Sequence, residues 1–232
     1  MEGDSRLTPS TLRAFKLNDT DENAKIGAQL REFLPDVASG LVLDVGAGLG
    51  DIAEAVFPAR DVVLIDILDH EAVPNPRHIR VWTDFFDYHL PANTECGVMI
   101  MSHVLQYIDD DVARLGAKVE ELAPQSLITV VDDYDPLQEE VLDWFNKHAI
   151  MANPERPICG FPPPNYRTKC SVSFSGVVEA TGFAHLADAL GRIIFDAPLG
   201  KLQVGELARW LYKRLKTPRI EIPQTATLYE RV

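Results

Sequence analysis

Short apolar runs alternate with polar and glycine-rich segments over the first 131 residues of the chain. Runs of this length, bounded by turn residues, are typical of buried parallel strands. Helical spacing of apolar residues predicts the helices that precede and separate them. The predicted strands are residues 41–45, 61–66, 78–82, 96–101 and 126–131, and the predicted helices are residues 24–34, 52–57 and 109–122. This alternation predicts an α/β fold.

The pattern changes after the fifth predicted strand. Residues 136–151 form a predicted helix with apolar positions along one face. Prolines at positions 154, 157 and 162–164 follow, and they favour an extended segment because proline lacks a backbone donor. We predict that residues 135–173 form a cap, since insertions on a rigid scaffold commonly carry specificity.

The first predicted strand ends in a glycine-rich turn. Leu-Val-Leu-Asp-Val at residues 41–45 is followed by Gly46, Gly48 and Gly50. Glycine permits a sharp turn and a close approach of backbone amides to a ligand. The helix after the turn presents its N-terminus to that ligand. The turn therefore predicts a cofactor site.

The acids around this turn narrow the choice of cofactor. Dinucleotide folds use Gly-x-Gly-x-x-Gly with pyrophosphate at the helix N-terminus. Here the third glycine comes one position early, and Asp51 occupies its place. Asp51 and Asp44 would both repel a pyrophosphate, which argues against a NAD-linked oxidoreductase. A cationic ligand without phosphate fits better.

The stretch Asp-Val-Gly-Ala-Gly-Leu-Gly at residues 44–50 resembles the first motif of the class I S-adenosylmethionine-dependent methyltransferases, Asp/Glu-x-Gly-x-Gly-x-Gly. Matching features follow in the family's order over residues 41–131. The resemblance implies a Rossmann-like, seven-stranded, mostly parallel sheet with helices on both faces. It also implies S-adenosyl-L-methionine as cofactor and S-adenosyl-L-homocysteine as product.

The resemblance assigns cofactor-binding roles to residues at the ends of the first four strands. Asp66 would hold the ribose hydroxyls, Asp84 and its neighbour would meet the adenine, and Ser102 and His103 would line the methionine end. The full set of implied cofactor residues is Asp44, Gly46, Ala47, Gly48, Gly50, Asp66, Ile67, Asp84, Phe85, Ser102 and His103.

The resemblance also guides the prediction for the rest of the chain. It implies a helix over residues 174–183, a sixth strand or two irregular strands within 184–195, and a last strand over 225–229 lying antiparallel between strands five and six. Residues 204–215 form a further predicted helix. We expect a single domain, with a helical N-terminal lid (1–40), a cofactor-binding core (41–134), the cap (135–173) and a completing segment (174–232).

Candidate catalytic residues follow strands four and five. His103 is a candidate general base, because its side chain titrates near neutral pH; the alternative is a backbone-bonded or cofactor-contacting histidine. Tyr107 could share its face on a helix. Asp133 is the candidate acid after strand five, although Asp132 could serve equally and either could cap the next helix. Ser102 replaces the acid that magnesium-dependent catechol-type methyltransferases carry, so we predict no metal.

The predicted acceptor residues lie after strand five. They would supply an aromatic or charged pocket, although core packing is the alternative for the tryptophan. These residues are Tyr134, Trp144, His148, Tyr166 and Arg167.

The composition of the chain limits which classes of binding partner are expected. The net charge is −13 over 232 residues, which disfavours nucleic acid because its binding depends on neutralising phosphates. No apolar run is long enough to span a membrane, and the N-terminus lacks a secretory signal. The three cysteines show no metal or disulfide spacing. We expect a cytoplasmic protein with a small-molecule acceptor; the oligomeric state stays open, with a homodimer among the options.

The leading prediction is methyl transfer to an oxygen or nitrogen of a small molecule, and secondary metabolism is one setting consistent with it. Two alternatives stay open. One is a methyltransferase-like module that binds the cofactor without catalysis. The other is an enzyme that methylates proteins. The motif of amino-directed nucleic-acid methyltransferases, Asn/Asp-Pro-Pro-Tyr/Phe, is absent after strand four.

Overall fold

The alternating strands and helices of the sequence recur in a computed structural model that describes residues 21–68, 75–105, 112–133, 135–148, 161–195 and 199–232. The predictions for Tyr107 and Tyr134 lie outside these residues. The strands are β1 (Leu41–Val45), β2 (Val62–Asp66), β3 (His78–Trp82), β4 (Cys96–Ser102), β5 (Ser126–Asp132), β6 (Tyr166–Glu179) and β7 (Arg219–Arg231). The helices are α1 (Glu22–Phe33), α2 (Asp51–Val56), α3 (Val112–Leu122), α4 (Pro136–Lys147), α5 (Phe183–Phe195) and α6 (Lys201–Tyr212).

The described strands form a seven-stranded sheet of order β3-β2-β1-β4-β5-β7-β6. Strands β1 to β5 pair in parallel, and β7 is antiparallel to β5. The Rossmann-like, mostly parallel sheet is therefore confirmed, as is the position of the last strand between β5 and β6. None of the described helices has the length and apolar character needed to cross a bilayer.

The chain divides into two compact units. Among the described residues, the larger unit takes those within 23–132, 161–174 and 224–232, and the smaller unit takes those within 21–22, 133–148 and 175–223. The long strands β6 and β7 each have residues in both units. The single-domain organisation, the lid and the cap stay predictions.

Two apolar clusters build the larger unit, one on each face of its sheet. On one face, Ile26 and Leu30 of α1 pack with Val56 of α2 against Val42, Leu64 and Ile100. On the other face, Leu115, Val119 and Leu122 of α3 pack with Leu43, Met99 and Leu127. Adjacent strand residues point to opposite faces, so a strand buried on both sides is apolar throughout. Helices on both faces are thus confirmed.

The smaller unit has its own core, built mainly from helices. Trp144 and Phe145 of α4 pack with Leu186 and Leu190 of α5 and with Leu207 and Leu211 of α6. The start of β7 adds Ile220 and Ile222, and the end of β6 adds Val178. Asp135 caps α4, because its Oδ1 accepts a hydrogen bond from the Leu137 N–H at 2.9 Å.

Two predictions for the second half of the chain are wrong. Residues 174–179 belong to strand β6 and not to a helix, because alternation of Val172 and Phe174 with serines suits a half-buried strand. Residues 183–195 form helix α5 and not strands, because Leu186 and Leu190 recur at helical spacing and both are buried. Residues 166–173, the last part of the predicted cap, lie in β6.

Candidate active site

The glycine turn after β1 has the conformation that its sequence requires. Gly46, Gly48 and Gly50 all have positive φ, at 66°, 53° and 82°, a region that residues with a side chain rarely adopt. The N–H groups of Gly46 and Ala47 both donate to the carbonyl oxygen of Ile65, at 2.8 and 3.1 Å. The turn is therefore tied to the end of β2.

Two charged side chains fix the peptide groups of Gly48. The Gly48 N–H donates to Asp66 Oδ2 at 2.8 Å, and the Gly48 carbonyl accepts from Arg80 Nη1 at 2.8 Å. The other carboxylate oxygen of Asp66 accepts from the Leu68 N–H at 2.9 Å. Asp66 thus orders the glycine turn as well as standing at the predicted ribose position.

Aromatic and apolar groups flank Asp66 on the β3 side. Trp82 pairs with Asp66 in the sheet, and its indole N–H donates to the Ile67 carbonyl at 2.6 Å. Trp82 is 67% exposed and Ile67 50%. Asp84 Oδ1 accepts from the Phe86 N–H at 2.9 Å, which holds Phe85 in a short 3₁₀ turn where it is buried.

Residues at and after the end of β4 lie next to the glycine turn. A methyl group built on Gly46 would lie 2.5 Å from Val104 Cγ2, so only glycine fits. The Ser102 hydroxyl is buried and has no hydrogen-bond partner among the described residues. Asp44, which precedes the turn, is only 2% exposed. These buried polar groups on neighbouring strands are suited to a polar ligand at this edge.

His103 follows β4 and faces the end of β5. Its Nδ1 lies 3.5 Å from Asp132 Oδ1. The same oxygen accepts from Gln224 Nε2 at 3.2 Å, and Gln224 is fully buried on β7. The backbone N–H of His103 donates to the Val130 carbonyl at 3.0 Å.

The sheet brings the predicted cofactor residues together. Strands β3, β2, β1 and β4 are consecutive neighbours, and the residues named from the resemblance all lie at or just after their carboxyl ends. In open α/β sheets, ligands bind outside this edge. The individual binding roles of these residues stay predictions.

Two predicted acceptor residues, Tyr166 and Arg167, are not brought to the edge that contains the glycine turn. The Tyr166 hydroxyl donates to the Pro124 carbonyl at 2.8 Å, just before β5 begins. Burial raises the pKa of the Tyr166 phenol above its ordinary value. Arg167 pairs with Glu230 at 2.6 Å, and Glu230 lies opposite Ser126, the first residue of β5. Both therefore lie at the amino end of β5, opposite the glycine turn.

The other two described acceptor candidates, Trp144 and His148, lie in the smaller unit. Trp144 is buried in its core, which agrees with the packing role kept as an alternative. The His148 ring stacks on Trp144 with centroids 3.9 Å apart, and His148 Nδ1 donates to the Trp144 carbonyl at 2.6 Å. Asp133 also belongs to the smaller unit, and its N–H donates to the Pro223 carbonyl at 2.8 Å. The catalytic role of Asp133 stays a prediction.

Sequence reasoning missed three contributors to this edge: Arg80, Trp82 and Gln224. An arginine within a predicted strand and an aromatic residue at its end are weak signals that could have drawn attention to Arg80 and Trp82. Gln224 gives no such signal, because its contact with Asp132 depends on the pairing of β5 with β7.

Comparisons with known proteins support the fold. No protein-family model and no curated protein sequence matches the chain. A protein from Anaeromyxobacter dehalogenans, described as a type II methyltransferase, is 20% identical; the match covers 88% of this chain and 95% of that one, with a TM-score of 0.57. The YcgJ protein from Bacillus subtilis is 13% identical, with 90% of this chain and 99% of that one covered and a TM-score of 0.51.

A third similar structure is a cyclopropane-fatty-acyl-phospholipid synthase-like protein from Lactobacillus casei. It is 14% identical, with 90% of each chain covered and a TM-score of 0.50. At these identities the likeness concerns the fold. The chain has the Rossmann-like fold of the class I S-adenosylmethionine-dependent methyltransferases, so the resemblance of residues 41–131 is confirmed at that level.

Proposed function

We propose that this protein transfers a methyl group from S-adenosylmethionine to an oxygen or nitrogen nucleophile of a small molecule. The observation that carries the proposal is the turn at Gly46–Gly50, held by Asp66 at the carboxyl edge of a methyltransferase-type sheet. The fold alone would not decide the chemistry, because one fold serves many functions.

The residues at this edge fit the cofactor. When bound, S-adenosylmethionine supplies a methyl group activated on a cationic sulfonium. The acids Asp44, Asp51 and Asp66 favour a cation over a pyrophosphate. A carboxylate offers about four acceptor positions, so Asp66 can hold ribose hydroxyls while it accepts from the backbone. The buried Ser102 hydroxyl would bind at the methionine end.

Trp82 extends the proposed site beyond the residues that the motif names. Its exposed indole is anchored to the carbonyl of Ile67, directly after the ribose acid. An aromatic face here would pack on the adenine, and Ile67 and Phe85 would complete that apolar contact. The net charge of −13 disfavours nucleic acid as the acceptor. A cytoplasmic, biosynthetic setting is part of this proposal.

Turnover tests the proposal. The purified protein is incubated with S-adenosylmethionine and a panel of hydroxyl and amine compounds, and released S-adenosylhomocysteine is measured by mass spectrometry. We expect release that depends on one class of acceptor. Tight cofactor binding without turnover on any small molecule, peptide or protein would instead identify a binding module, and turnover on protein alone would identify a protein methyltransferase.

A further inference from the structure

Three neighbouring strands bring a histidine, a carboxylate and an amide together within the larger unit. His103 follows β4, Asp132 ends β5, and Gln224 lies opposite Asp132 on β7. We propose that Asp132 and Gln224 are positioning residues that hold His103 as the general base for methylation of a hydroxyl or amine acceptor. The inference rests on the proposed function and names its acceptor class: a nucleophile that carries a proton.

A chain of two contacts connects the buried Gln224 to Asp132 and Asp132 to His103. Gln224 Nε2 donates to Asp132 Oδ1 at 3.2 Å, and this hydrogen bond restrains the carboxylate. Asp132 Oδ1 lies 3.5 Å from His103 Nδ1, within reach of a bond that tightens when substrate binds. A carboxylate beside Nδ1 selects the tautomer with the proton on Nδ1, which makes Nε2 the basic nitrogen.

The position of His103 is fixed by its backbone as well. Its φ is 52°, a left-handed conformation that is uncommon for a residue with a side chain. Its N–H is nevertheless bonded to Val130, so the conformation is held by the sheet. Unusual backbone conformations that the surroundings enforce cluster at functional sites. The His103 and Asp132 side chains are only 22% and 15% exposed, which limits competition from water.

The proposed step transfers one methyl group to the acceptor and removes one proton from it. The lone pair on the acceptor oxygen or nitrogen forms the new bond to the methyl carbon. The carbon–sulfur bond breaks, and its electron pair stays on sulfur, which leaves as the neutral thioether of S-adenosylhomocysteine. The proton of the acceptor passes to His103 Nε2 and then to water. An acceptor without a removable proton would gain nothing from this arrangement.

Kinetics of matched variants provide the first test. Because general bases contribute about 10²–10⁴-fold, we expect His103→Gln and Asp132→Asn each to lower kcat by about 100-fold or more. The affinity for S-adenosylhomocysteine should stay unchanged in Asp132→Asn, because Asp132 is not among the predicted cofactor residues. Asp132→Glu should recover part of the lost kcat. Asp61→Asn is the control, since Asp61 is exposed and pairs with Arg77 at the start of β2.

A tautomer measurement separates positioning from a general loss of structure. In protein labelled with ¹⁵N-histidine, His103 is assigned by comparison with His103→Gln, and its long-range proton–nitrogen couplings identify the protonated ring nitrogen. We expect the Nδ1–H tautomer in the wild type and a shift toward Nε2–H in Asp132→Asn. The Asp61→Asn spectrum should match the wild type.

Three outcomes would overturn the inference. The first is an Nε2–H tautomer in the wild type, and the second is a tautomer that does not respond to Asp132→Asn. The third is a loss of kcat in Asp133→Asn but not in Asp132→Asn, which would favour the other acid. The proposed function fails separately, through absent cofactor binding, and the tautomer measurement does not depend on that result.

Discussion

Gly46 carries a steric constraint that links the sequence motif directly to binding. Gly46→Ala would place a methyl group 2.5 Å from Val104 Cγ2 at a φ of +66°. The turn must then shift, and left-handed strain costs about 1–3 kcal/mol. We expect the affinity for S-adenosylhomocysteine to fall by about tenfold or more, because 1.4 kcal/mol corresponds to a factor of ten. Calorimetric titration measures the change.

Gly116→Ala is the matched control for that substitution. Gly116 lies within α3, and a methyl group there meets no atom within 4 Å. Alanine stabilises an exposed helix interior by up to about 1 kcal/mol relative to glycine, so Gly116→Ala should raise the unfolding midpoint and leave the affinity unchanged. Wild-type affinity in Gly46→Ala would contradict the role assigned to the turn.

The sequence predicts the positions of some site residues and not of others. The glycines, Asp44 and Asp66 could be placed because each is local to a strand end. The sequence does not decide whether Asp132 or Asp133 is the acid after strand five, because consecutive residues of a strand point to opposite faces. The answer depends on where β5 ends and on its pairing with β7. Both are long-range properties of the sheet.

At the scale of elements, the predictions for the first half of the chain agree with the structure better than those for the second half. For the mainly apolar strands β1, β2, β4 and β5, the sequence predicts each end within one residue. In β6, the order of elements in the family predicts a helix, whereas the local alternation of serines with Val172 and Phe174 indicates a strand. In α5, the family order predicts strands, whereas the spacing of Leu186 and Leu190 indicates a helix. Local periodicity was the better guide in both places.

Helix α4 offers a test at the scale of one element. Asp135→Ala removes the side-chain oxygen that accepts from the Leu137 N–H. Loss of such an N-cap costs about 0.5–2 kcal/mol, and we expect the free energy of unfolding to fall by that amount. Denaturant titration measures it. Asp143→Ala, an exposed position on the same helix, should change it by less than about 0.5 kcal/mol; equal losses would contradict the capping role.

At the scale of the whole molecule, two compact units share the strands β6 and β7. The larger unit contains the glycine turn, Asp66 and the pair His103–Asp132, so the proposed cofactor and proton-transfer groups belong to one compact unit. The smaller unit contains a helical core around Trp144 and Phe145. The sequence of the smaller unit has apolar residues at helical spacing but no recognisable motif. It therefore predicts the architecture of this unit less completely than that of the cofactor edge.

The central claim is that the glycine turn and Asp66 bind S-adenosylmethionine. Calorimetric titration with S-adenosylhomocysteine tests it most directly. We expect one site with a micromolar dissociation constant, about −8 kcal/mol. Asp66→Ala should weaken binding by about tenfold or more, because hydrogen bonds to a charged group contribute about 1.5–3 kcal/mol, while Asp61→Asn should bind like the wild type. No heat of binding with the folded wild-type protein, or equal affinities for wild type and Asp66→Ala, would contradict the claim.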